Sequence, residues 1–166
     1  MKEEKYKFNN PKVQLPLGST FTEDIKSLII TEVIEKLKDD QVKMISICGM
    51  GGVGKTTVVK EVIKTIEKSK LFDEVAMTVV SHDINYEKIQ IQIAEDLGME
   101  MNKVSEKGRA KDLLQRLMSK DKKILIVLDD VWGILDFENI GLPKKYCKIL
   151  LTSWYSGFYL VRYASS

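Results

Sequence analysis

Met44-Ile45-Ser46-Ile47-Cys48-Gly49-Met50-Gly51-Gly52-Val53-Gly54-Lys55-Thr56-Thr57 decides the fold of this chain. Gly49, Gly54, Lys55 and Thr56 stand at the fixed places of the phosphate-binding pattern G-x-x-x-x-G-K-[ST]. The flanks suit the pattern. Met44 to Cys48 reads as a buried strand, and Val59, Val62, Ile63 and Ile66 give the spacing of a helix behind the loop. Glycines lack the Cβ that would keep the backbone away from a phosphate, so successive N–H groups can point at one anion. The following helix adds the positive end of its dipole. Lys55 supplies a mobile charge for the β- and γ-phosphates, and the Thr56 hydroxyl suits Mg²⁺.

Outward from the loop, the chain alternates apolar runs with amphipathic stretches. Thr22-Glu23-Asp24 opens a helix with Ile25, Leu28, Ile29, Val33 and Leu37 as its stripe, and Asp39-Asp40 ends it. Glu74–Val80 is a second buried strand and Tyr86–Leu97 a helix stopped by Gly98. A further helix is marked by Ala110, Leu113, Leu114, Leu117 and Met118. Ile124–Leu128 and Lys148–Thr152 are the third and fourth strands. Strands apolar throughout, alternating with helices, mean βαβ units and a parallel sheet covered on both faces.

The third strand runs into Asp129-Asp130. Carboxylates at the carboxyl end of a parallel strand lie in the ligand crevice. Asp129 is the candidate Mg²⁺ ligand with Thr56, and Asp130 the candidate base for an attacking water. No Asn-Lys-x-Asp stretch is present to read guanine, which favours adenine.

Composition bounds the alternatives. The 166 residues amount to about one domain, with 44% hydrophobic and 30% charged residues. A formal net charge of +2, with lysines mixed among acids, predicts no nucleic-acid partner. No apolar run reaches the ~18 residues of a membrane span, and no secretory leader opens the chain. Cys48 and Cys147 each abut an apolar run and read as reduced core thiols of a cytoplasmic protein. His82, the single histidine, reads as a loop or capping residue and not a metal ligand.

The phosphate loop together with Leu128-Asp129-Asp130-Val131-Trp132 resembles the nucleotide-binding (NB-ARC) domain of plant NB-LRR disease-resistance proteins of the coiled-coil type. Phe72-Asp73-Glu74-Val75 through Val80-Ser81, Gly108-Arg109-Ala110, Ile140-Gly141-Leu142-Pro143 and Cys147–Ser153 are similar to further blocks of that family. The resemblance implies a three-layer P-loop NTPase core over residues 21–153. It also implies an ADP/ATP switch of plant defence in which Gly49, Gly51, Gly52, Val53, Gly54, Lys55, Thr56 and Thr57 bind phosphate. Asp129 with Thr56 would hold Mg²⁺, and Asp130 with Lys55 would serve any hydrolysis. Other NB-LRR proteins, or a second copy, are the implied protein partners.

Two departures qualify it. The arginine that follows the family's Thr-Ser pair is replaced by Trp154, and an indole cannot meet a γ-phosphate with charge. Within these residues nothing resembles the family's helical and winged-helix lid subdomains. The expectation is therefore a nucleotide-binding core with impaired switching and at most weak Mg²⁺-dependent ATPase activity. The alternative is a nucleotide-independent interaction fragment. Residues 1–20 read as an extended lead-in and 154–166 as an unmatched hydrophobic tail. Within the tail, Phe158–Tyr163 could be a fifth strand beside the first, but an out-of-family strip without fixed pairing is the preferred reading.

Overall fold

A computed structural model describes residues 14–15, 22–119, 121–154 and 159–165. The lead-in therefore lies outside the described residues except for Gln14–Leu15, which form β1. The phosphate-loop strand is β2 (Val42–Gly49), followed by α2 (Lys55–Ser69). Helix α1 (Glu23–Lys38) precedes it. Then come β3 (Glu74–Ser81), α3 (Tyr86–Asp96), α4 (Glu106–Leu117) and β4 (Ile124–Val131). A single turn, α5 (Phe137–Ile140), β5 (Lys148–Trp154) and β6 (Tyr159–Ser165) complete the chain.

The six strands form one sheet in the order β1-β6-β2-β5-β4-β3. The pairs β2–β5, β5–β4 and β4–β3 are parallel, as the βαβ pattern requires. Side chains alternate between two packed faces. On β4, Leu125 and Val127 join Ile45, Ile47, Val62 and Ile66 under α1 and α2. Ile126 and Leu128 join Ala76, Ile93, Leu113 and Leu117 under α3 and α4. Each such fully buried aliphatic contributes about 1.5–3 kcal/mol of burial, so both faces are needed to hold the central strands.

Several sequence readings need correction. Leu28, read as part of the α1 stripe, is 64% exposed; Ile29, Val33 and Leu37 carry the burial. Helix α4 begins at Glu106, with the Ser105 hydroxyl accepting from Gly108 N at 3.1 Å. The sequence hides this turn because it is polar, yet Arg109 within it is buried. Its Nε donates to Gln90 Oε1 at 2.8 Å, so the charge is satisfied internally.

The tail is not an unpaired strip. Leu160–Ser165 pair with β2 in antiparallel register, Ile47 opposite Val161 and Ile45 opposite Tyr163, and Tyr159 pairs with Leu15 of β1. Direction follows from chain length. Only four residues separate Trp154 from Tyr159, and a parallel return needs a crossover of about a dozen. Val161 and Ala164 are buried, so β6 covers an edge of β2 that would otherwise template aggregation. Deleting residues 157–166 is expected to lower solubility and raise light scattering of the purified chain. In the intact monomer, amides of Val161 to Tyr163 should exchange slowly; free exchange there would refute the pairing.

Candidate functional site

The loop after β2 owes its shape to backbone that most residues avoid. Gly52 has φ +76° and Gly54 φ +108°, both in the left-handed region. Gly54 is also the N-cap of α2 and offers no side-chain acceptor, so the first N–H groups of the helix are left for a ligand. Val53 anchors the loop from below: it is 7% exposed and packs among the apolar residues under α2. A cavity of about 310 Å³ opens above it, lined by Gly51, Gly52, Gly54, Lys55, Thr56 and Thr57 on one side and by Asp130 and Thr152 on the other. Gly49 ends β2 beneath this cavity.

Lys55 Nζ donates to Gly49 O at 2.7 Å and Met50 O at 2.5 Å. Burial lowers its pKa below the usual lysine value, and Asp130, Asp129 and Cys48 oppose that shift. A phosphate in the cavity would stabilise the charged form further.

A bulge brings Asp130 into the cavity lining. Leu128 pairs with Leu151, but Val131 pairs with Ser153, so β4 carries one residue more than β5 over this stretch. Asp130 takes the strain, with φ +59°. In a regular strand successive side chains face opposite sides; here Asp130 lines the cavity while Asp129, one position earlier, hydrogen-bonds Thr56 and Thr152 of the same lining. Asp129 is 3% exposed and accepts from Thr56 Oγ1 at 2.8 Å and from Thr152 Oγ1 at 2.5 Å. Asp130 N donates to Thr152 Oγ1 at 2.8 Å. An alcohol and a carboxylate side by side are hard oxygen donors that suit Mg²⁺. Among the described residues no group of three or more His, Cys, Asp or Glu is arranged to hold a metal. Mg²⁺ at Thr56 and Asp129 would therefore complete its shell with phosphate oxygens and water, its usual habit.

Thr152, Trp132 and His82 were given no role in the site by the sequence. Trp132 Nε1 donates to Asp130 Oδ1 at 2.7 Å. Its ring stacks on His82 at 4.0 Å and on Trp154 at 5.5 Å. His82, read as a loop or capping residue, is thus part of an aromatic stack along the carboxyl ends of β3, β4 and β5. Trp154 is 43% exposed, in register with Gly49, and among the described residues no arginine lines the phosphate cavity. Cys48 and Cys147 are both free and buried, as the sequence predicts, and burial pushes the Cys147 thiol up to about 12. No helix among the described residues is long and apolar enough to cross a membrane.

A parallel sheet between two helical layers, with a glycine cradle after one strand and an acid at the end of another, defines the P-loop NTPase class. The solved structure of the Aeropyrum pernix ORC2 protein (ADPNP–ADP complexes) shares this fold at a TM-score of 0.51. It is 16% identical, over 90% of this chain and 46% of that one. The NB-ARC domain profile matches residues 27–156, and this chain belongs to that family. Curated relatives include two Arabidopsis thaliana proteins. Disease resistance protein RFL1 is 33% identical over 148 residues, 84% of this chain and 16% of the relative. Disease resistance protein At4g27190 is 31% identical over 147 residues, 84% of this chain and 15% of the relative. The chain thus spans about a sixth of the length of the relatives it matches.

Proposed function

We propose that this chain is the ADP/ATP-binding core of a plant immune-receptor-type switch, acting in the cytoplasm, with Mg²⁺ as co-ligand and little hydrolysis. The hydrogen-bonded path from Thr56 through Asp129 to Thr152 carries this reading. It ties the phosphate loop, the acidic strand end and the neighbouring strand into one oxygen-rich rim of the cavity. The relatives' role in disease resistance supports the setting, and self-association or contact with other resistance proteins fits that setting.

Poor hydrolysis rests on two local features. Among the described residues no guanidinium lines the cavity, and removing such a charge from a phosphoryl-transfer site typically costs ~10³–10⁵ in rate. The candidate base Asp130 already has one carboxylate oxygen occupied by the Trp132 N–H. Calorimetry with ADP and ATP, with and without Mg²⁺, tests binding, and steady-state phosphate release tests turnover. Saturable binding without multiple turnover on a minute scale is the expected result. Sustained turnover abolished by Asp130→Ala would establish an ATPase instead, and no binding of either nucleotide would leave an interaction fragment.

A further inference from the structure

The chain carries almost no net charge, yet lysines gather at the end of the sheet away from the phosphate loop. Lys38, Lys43, Lys122, Lys123, Lys145 and Lys148 line one concave pocket of about 180 Å³. They come from the end of α1, the start of β2, the turn before β4 and the turn leading into β5, so only the fold assembles them. β2 is eight residues long, which puts the pocket roughly 25 Å from the phosphate loop. Asp40 is the single acid in its lining, and Phe72 and Tyr146 give it partly apolar walls.

Structural duties account for only part of the cluster. Lys148 Nζ donates to Leu37 O and Asp39 O, both at 2.6 Å, and so closes the end of α1. Lys122 pairs with Glu74 at 2.9 Å. Lys38 sits in the last turn of α1, where a cation suits the helix dipole. Lys145 Nζ lies 5.5 Å from the centre of the Tyr146 ring, a weak cation–π contact, and among the described residues no carboxylate lies within ion-pair distance of Lys43, Lys123 or Lys145. Burial lowers the Lys148 pKa, and Lys43 and Lys123 lower it further against the pull of Asp40 and Asp39. The like charges are close enough to repel, and a bound anion would relieve that repulsion.

We propose that this pocket is a second anion site, for a compact small molecule carrying two or more phosphate groups. Lysine is a compact, strongly hydrated charge that meets phosphate from any direction, whereas carboxylate recognition favours the planar fork of arginine, which is absent here. A nucleic-acid duplex needs a basic stripe along a face, and this cluster is confined to one concavity. The phosphates belong either to a soluble molecule or to a lipid headgroup.

Titration calorimetry with inorganic tripolyphosphate, on the Lys55→Ala chain so that the phosphate loop is disabled, tests the site. Saturable binding is expected, weakened at least about tenfold by Lys43→Glu with Lys123→Glu, since each close charge contact is worth up to about a power of ten. Lys88→Glu with Lys107→Glu makes the same change of charge at exposed positions on α3 and α4 and should leave the affinity unchanged. Thermal melts confirm that both double variants fold. Flotation with vesicles containing phosphatidylinositol 4-phosphate, against phosphatidylserine vesicles, separates the sources. Capture by the phosphoinositide vesicles alone, lost with Lys43 and Lys123, assigns the phosphates to a headgroup. No binding to tripolyphosphate or to phosphoinositide vesicles, or equal loss in the Lys88/Lys107 control, would overturn the proposal.

Discussion

Lys55→Ala is expected to weaken ADP and ATP binding by about a hundredfold, and Gly54→Val by as much or more. Among the described residues Lys55 is the only cation lining the phosphate cavity. Charge-assisted hydrogen bonds of the kind it would give a polyphosphate are worth about 1.5–3 kcal/mol, or about ten- to a hundredfold in affinity. Neither loop carbonyl that Lys55 now contacts is lost from the fold by its removal, so the melting temperature should hold while binding falls. Gly54 acts differently. Its φ of +108° is closed to a β-branched residue, so valine must rotate the backbone and swing the first N–H groups of α2 off the cavity. Calorimetry with Mg²⁺ decides the point: full nucleotide affinity in both variants would sink the assignment of this loop.

The largest loss of stability should come from Gly141→Ala, far from the cavity. Gly141 closes α5 with φ +92°, its N–H shared between Phe137 O and Glu138 O. A Cβ there would meet the backbone of Ala110 in α4, 2.3 Å from its carbonyl oxygen and 2.8 Å from its Cα. Backbone cannot step aside as a side-chain tip can. Left-handed strain and overpacking together cost about 3 kcal/mol or more, which in a domain of this size lowers Tm by roughly 10 °C. Gly51→Ala is the control. A Cβ on Gly51 meets nothing within 4 Å, and its backbone is not left-handed, so its melt should match the parent. Equal melting of Gly141→Ala and the parent would mean that α4 and α5 do not pack this closely.

What the sequence made legible was local. The glycine spacing, Lys55, Thr56 and the acids after Leu128 are contiguous motifs, and their chemistry can be read without knowing which strands are neighbours. Thr152 could not be found that way. Its hydroxyl matters because β5 lies beside β4, and that adjacency belongs to the sheet order. The environment of Arg109 was hidden for a related reason. Its guanidinium is buried against Gln90, nineteen positions earlier in the chain, a contact that no local pattern reveals. The tail had the composition of a strand, and the sequence already named the bare edge of the first strand as its possible partner; its register and antiparallel direction emerge only with the four-residue link from β5.

The stacked indoles have an optical consequence. Trp132 and Trp154 are the two tryptophans of this chain, and they lie face to face. All indole emission and the exciton signal of the pair therefore originate at one spot, one hydrogen bond from the carboxylate of Asp130. In most proteins tryptophan fluorescence averages over scattered sites and reports the whole fold. Here it is a local gauge, built in and needing no label, of what happens at the rim of the phosphate cavity.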